Sequence, residues 1–203
     1  MEKPRLLNRR QERIFSAHHM LMRAADRAFD AAKTKSPGYL YDMMATITFS
    51  ALAIESLCNT IGDRIIPKWE DFESSSSMAK LRILTEHLQV VFDPKSEPWI
   101  TAYWLIKFRN QIAHSKPEHV IEEIYLTQQE HDNRLFDVPE SKLEKQITLG
   151  NAKRALNATE QIKKILVKQV PADQALGLYV DGWSGSTTLS RDVETCQVTD
   201  SPS

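Results

Sequence analysis

Cysteine is almost absent from this 203-residue chain: Cys58 and Cys196 stand far apart, with no paired spacing for a disulfide framework or a zinc site. A reducing compartment is the simplest fit, and the expected location is the cytoplasm. Excess charge is missing as well. With 26 Lys and Arg against 27 Asp and Glu, the formal net charge of -1 gives no global attraction to nucleic acid, so any polyanion binding must be local. Long apolar runs are also lacking. The most apolar, Ala45 to Ile54, is far too short to span a bilayer. Met1-Glu2-Lys3-Pro4-Arg5 opens a basic polar stretch rather than the apolar centre of a secretory signal, and no membrane partner is expected. There is no Gly-rich phosphate loop, no Gly-x-Ser-x-Gly elbow and no convincing pair of carboxylates, so dinucleotide, nucleoside-triphosphate and serine-hydrolase chemistry lack support. No cofactor is expected. His119, Glu122 and Glu123 have one-turn spacing but read as surface, and no metal is assigned to them.

What is present suits one globular domain, with 41% hydrophobic and 26% charged residues. From about Gln11 to Lys33, Ile14, Phe15, Ala17, Met20, Leu21, Ala24, Ala28 and Ala31 recur at helical spacing, and Ser36-Pro37-Gly38 ends the run. A second helix is expected from Tyr39 to about Ile61, with Gly62 as its stop. The serine run Ser74 to Ser77 reads as the cap of a third, from Met78 to about Val90. A fourth spans Trp99 to about His114, closed by Ser115-Lys116-Pro117, and a last one Asn151 to Lys168. Thr127-Gln128-Gln129-Glu130 and Ser141-Lys142-Leu143-Glu144 look like capping boxes of short turns. No segment of any length alternates as a strand should, Val120 to Leu126 being the one candidate. The expected fold is an all-α helical bundle of about five main helices over residues 1–170, with 171–203 a disordered tail.

The fourth helix carries Arg109-Asn110-Gln111-Ile112-Ala113-His114. A permanent cation, an amide and an imidazole in so short a stretch suggest phosphate handling. An Arg with a His five positions on also occurs at Arg13/His18 and Arg82/His87, so context must separate the three. On an ideal helix Trp104, Leu105, Phe108 and Ile112 share the core side, while Tyr103, Ile106, Asn110 and His114 form a further row. Two apolar sides point to a second neighbour or a second copy of the chain, and a homodimer is expected. Asn110 and His114 stack one turn apart, whereas Arg109 and His114 diverge by about 140°. Arg109 must therefore bend around the flank, or the cation must come from a partner protomer. The free carbonyls at the end of the helix favour a protonated His114.

The stretch Phe108 to Pro117, together with Ala53-Ile54-Glu55-Ser56-Leu57-Cys58-Asn59 on the second helix, resembles the HEPN (higher eukaryotes and prokaryotes nucleotide-binding) domain family over roughly residues 10 to 170. In that family an Arg, an adjacent polar residue and a following His lie on one helix of a small α-bundle, and many members are metal-independent endoribonucleases that join two such motifs in a dimer. The resemblance implies a catalytic set of Arg109, Asn110 and His114, acting on RNA in a toxin or defence effector restrained by an antitoxin-like protein. Ser115 stands where many relatives carry Gly. Glu55 and Asn59 make a polar stripe that would support Arg109, and Lys107 and Lys116 bracket the motif where flanking phosphates would lie. Two other readings stay open: a non-catalytic dimer of the same fold that binds RNA, a nucleotide or a protein, and a purely structural dimer with no ligand.

Overall fold

The computed structural model describes residues 7–134 and 137–189. Six α-helices are present there: α1 (Ala17–Lys33), α2 (Tyr39–Ile65), α3 (Ser77–His87), α4 (Trp99–His114), α5 (Gln128–Asn133) and α6 (Leu149–Gln169). Two strands, β1 (Leu7–Ile14) and β2 (Gly182–Leu189), complete the described chain. The protein is an all-α bundle with a two-stranded ribbon attached.

Helix α2 is the axis of the bundle, packed by α1, α3, α4 and α6. By length and composition alone it is apolar enough to cross a membrane, yet half of its most apolar window is buried among the other helices. Ile47, Ala51, Ile54, Leu57, Cys58 and Ile61 repeat every three or four residues and are all buried, as a stripe facing a common core requires. Leu81 and Leu84 of α3, Leu105 and Phe108 of α4, and Ile162 and Leu166 of α6 close over it, each fully buried.

Gly62 does not stop α2, which continues to Ile65. The glycine serves packing instead: a Cβ there would collide with the Trp69 indole, which is buried against the helix at the start of the next turn. Gly62→Ala gains about 1 kcal/mol of helix propensity but must displace a packed ring, and a net loss of about 1–3 kcal/mol is expected. A melting curve of the variant that matches the original protein would contradict this packing role.

The expected helix caps are in place. Ser76 accepts from the Ala79 amide at 3.2 Å at the start of α3, and Thr127 and Glu130 form a full capping box on α5. Ser141 and Glu144 bond each other's backbone amides in the same reciprocal way.

The structure differs from the sequence reading at both ends. Residues 7–14 pair antiparallel with 182–189, from Leu7 opposite Leu189 to Ile14 opposite Gly182, and α1 begins only at Ala17. Phe15 and Met20, read as part of a buried helical stripe, are 54% and 56% exposed. Val120 to Leu126 has no regular secondary structure.

Residues 171–181, assigned to the tail, form a strap across the ends of α1, α2 and α6. Leu178 is fully buried. Arg64 donates to the carbonyls of Gln174 (3.0 Å) and Leu176 (2.5 Å), and Lys163 to that of Tyr179 (3.0 Å). His19 bonds the Gly177 carbonyl at 2.9 Å and His18 that of Leu178 at 3.3 Å. These donors replace the apolar periodicity that residues 171–181 lack, and the described chain therefore continues in contact with the bundle to β2. Residues 190–203 of the expected tail lie outside the described residues.

Candidate active site

Helices α2, α3 and α4 meet where Glu55, Ser77 and Arg109 come together. The α2 periodicity that buries Ile54, Leu57 and Cys58 leaves Glu55 half-buried at the edge of the core, one turn before Asn59. On α4 the burial of Leu105 and Phe108 carries Arg109 to the matching edge. Arg109 Nη2 donates to Glu55 Oε2 in an ion pair whose side chains each retain 26% exposure. The same nitrogen lies 3.4 Å from Ser77 Oγ, and Nη1 donates to Asn110 Oδ1 at 3.0 Å. The guanidinium is thus tied to three side chains through its two terminal nitrogens. Such a planar fork of donors suits phosphate oxygens.

Glu55 and Asn59 divide. Glu55 bonds Arg109 directly, whereas Asn59 Oδ1 is buried with no hydrogen bond among the described residues. Two residues of this layer carry no motif in the sequence. Ser77, 4% exposed as the first residue of α3, reaches Arg109, and Lys80 is 2% exposed one turn later. Burial pushes the Cys58 thiol up to about 12, against the lowering effect of the Lys80 charge and with the raising effect of Glu55. Cys58 is therefore a protonated core residue and no nucleophile. Only the serine run ahead of α3 hinted at Ser77; a lysine inside an otherwise ordinary helix gave no signal.

His114 is the last residue of α4 and is exposed. No hydrogen bond or ion pair among the described residues involves it. Lys107 is exposed, with Nζ 4.4 Å from the Tyr103 ring centroid, and Lys116 is exposed in the irregular segment after α4. The structure therefore joins Arg109, Asn110 and Glu55, adds Ser77, and leaves His114, Lys107 and Lys116 outside that hydrogen-bonded group.

The second apolar side of α4 is narrower than expected. Ile106 is only 7% exposed because the bundle covers it, which leaves Ile100 and Tyr103 at 38% and 45%. The two rival Arg/His spacings serve other ends. Arg13 pairs with Asp181 at 3.0 Å beside the strap that His18 holds, and the Arg82 guanidinium lies 5.9 Å from the Phe92 ring centroid. Glu122 meets Arg134 at 3.5 Å, and no group of three His, Cys, Asp or Glu side chains among the described residues is arranged to hold a metal ion.

Comparison with family models, with curated proteins and with solved structures finds no match to this chain.

Proposed function

We propose that the chain is a metal-independent endoribonuclease of the HEPN type, working in the cytoplasm as a homodimer and as a toxin or defence effector restrained by an antitoxin-like protein. The observation that carries this reading is Arg109, its guanidinium fixed by Glu55, Asn110 and Ser77 on a side chain that keeps 26% exposure, on the helix that ends in the exposed His114.

In the proposed reaction the 2′-oxygen of a ribose attacks the adjacent phosphorus, and its proton passes to a neutral His114 imidazole. Negative charge accumulates on the equatorial oxygens of the pentavalent phosphorane, where the Arg109 fork donates. The bond to the 5′-oxygen then breaks, and that oxygen takes a proton from an imidazolium. A dimer supplies two copies of His114, one to accept and one to give. Asn110 holds the orientation of Arg109, and Lys107 and Lys116 meet the neighbouring phosphates.

RNA incubated with the protein in EDTA should be cut to fragments ending in 2′,3′-cyclic phosphate, while 2′-O-methyl RNA and DNA of the same sequence stay intact. Cleavage that disappears in chelator and returns with magnesium would refute the mechanism.

A non-catalytic module of the same fold is the second reading. Both terminal nitrogens of Arg109 are already engaged by protein groups, an arrangement that also suits an ion pair tying α4 to α2. Under that reading the protein binds RNA, a nucleotide or a protein and leaves RNA uncut in the same assay.

A further inference from the structure

The ribbon is costly to explain as part of the fold. Every residue of β1 from Leu7 to Arg13 is exposed, and so are residues 184–188 of β2, so the paired strands project from the bundle with both faces wet. A lone pair of strands is marginally stable in water, and residues 7–13 and 184–188 of this one bury no surface against the bundle. Its composition is one-sided. The β1 segment holds Arg9, Arg10 and Arg13 against the single acid Glu12, while the facing positions of β2 carry Ser184, Gly185, Ser186, Thr187 and Thr188. In a chain whose formal net charge is -1, this is a strong local concentration of positive charge.

The two faces are not alike. Side chains alternate along a strand, so Arg9, Gln11 and Arg13 share one face with Thr187 and Gly185 and no acid, whereas Arg10 and Glu12 share the other with Ser184 and Ser186. Arg13 is committed to Asp181 at the base of the ribbon. Arg9 and Arg10 form no ion pair among the described residues. The base is anchored, because Asp181 ends the strap that His18, His19, Arg64 and Lys163 hold against α1, α2 and α6.

We propose that this ribbon is an arm that grips the phosphodiester backbone of nucleic acid, with Arg9 and Arg10 as its principal phosphate contacts and the hydroxyls and amides between them as further donors to phosphate or sugar oxygens. Eight paired residues make an arm about 26 Å long at roughly 3.3 Å per residue. A two-stranded ribbon is narrow enough to lie in the major groove of B-DNA, and on A-form RNA it meets the phosphates that border the grooves. Contact of this kind reads charge and not the 2′-hydroxyl, so the arm serves RNA and DNA alike and does not depend on whether Arg109 and His114 cleave.

The test uses the full chain and fluorescent hairpins of 2′-O-methyl RNA and of DNA, with affinity measured over a series of salt concentrations. Arg9→Ala/Arg10→Ala should weaken binding to both hairpins about tenfold or more at low salt and make the slope of log affinity against log salt shallower by about 2. Arg9→Lys/Arg10→Lys should restore most of that slope. Introduced into an Arg109→Ala/His114→Ala background, the Arg9→Ala/Arg10→Ala pair should cost the same further factor in affinity, which separates failure of the arm from failure of the cleavage site. Alanine variants that fold and bind as the original does would overturn the proposal, as would a protein with no salt-dependent binding. A loss of self-association with unchanged hairpin affinity would overturn it too, showing that the free strand edges pair with a second copy instead.

Discussion

His114→Ala is expected to lower RNA cleavage by roughly 10²–10⁴-fold, the usual worth of a placed general acid or base, while leaving the melting temperature unchanged. Both halves follow from where the side chain sits. It is exposed at the end of α4 and has no bond within the described residues to lose, so any effect on rate is an effect on chemistry or substrate binding. Arg109→Ala should behave differently. It removes a phosphate donor and also leaves the half-buried Glu55 carboxylate without its cation, at a cost of about 1–3 kcal/mol in stability. The two variants thus separate in a thermal melt even where their rates agree. A His114→Ala protein as active as the original would remove His114 from the mechanism; one that is unfolded would show that the residue is structural.

Acid should loosen the strap before it disturbs the rest of the bundle. His18 is fully buried, and its folded pKa is lowered from 6.5 to about 4, chiefly by burial and then by the adjacent His19, whose ring centroid is 3.9 Å away. Lys163 lowers it further; the bond to the Leu178 carbonyl and the charge of Asp181 work in the opposite direction. Because the folded value lies below the unfolded one, the unfolded chain binds the extra proton between those two pH values. The contribution of neutral His18 is therefore complete above about pH 6.5 and lost as the pH falls towards 4, in all about 3 kcal/mol at 1.36 kcal/mol per unit. Denaturant unfolding at pH 7 and pH 4.5 measures it. His18→Gln, whose amide can donate to the same carbonyl but does not titrate, should flatten the dependence, and amides of residues 174–179 should exchange faster at low pH than those of α2. An unaltered pH profile in that variant would place the acid sensitivity elsewhere.

The bundle was legible because apolar periodicity and cap chemistry agree along it. Trp99 and His114 bound α4 in both the sequence reading and the structure, since Pro98 and the Ser115-Lys116-Pro117 stop leave little choice. The ribbon was hidden for a physical reason. Residues 7–13 are all exposed, so β1 reads Asn-Arg-Arg-Gln-Glu-Arg without the apolar alternation that marks a half-buried strand. Residues 174–179 were equally silent, because the strap is held largely through main-chain carbonyls, which any residue supplies.

The ion pair of Glu55 with Arg109 could be anticipated, since a carboxylate beside an apolar stripe needs a cation. Ser77 and Lys80 could not, because their place depends on how α3 crosses the other two helices. Arg13 and His18 share the Arg-to-His spacing of Arg109 and His114. Here the pair holds neighbouring parts of the strap, Arg13 through Asp181 at the end of a strand and His18 through Leu178 at the start of a helix.

The central claim is that Arg109 and His114 act on one and the same phosphate. Single-turnover cleavage rates for Arg109→Ala, His114→Ala and the double variant test it most directly. Groups that act as one unit are non-additive, so the double variant should be little slower than the worse of the two singles. Singles that both retain full activity, or losses that simply multiply in the double variant, would contradict it.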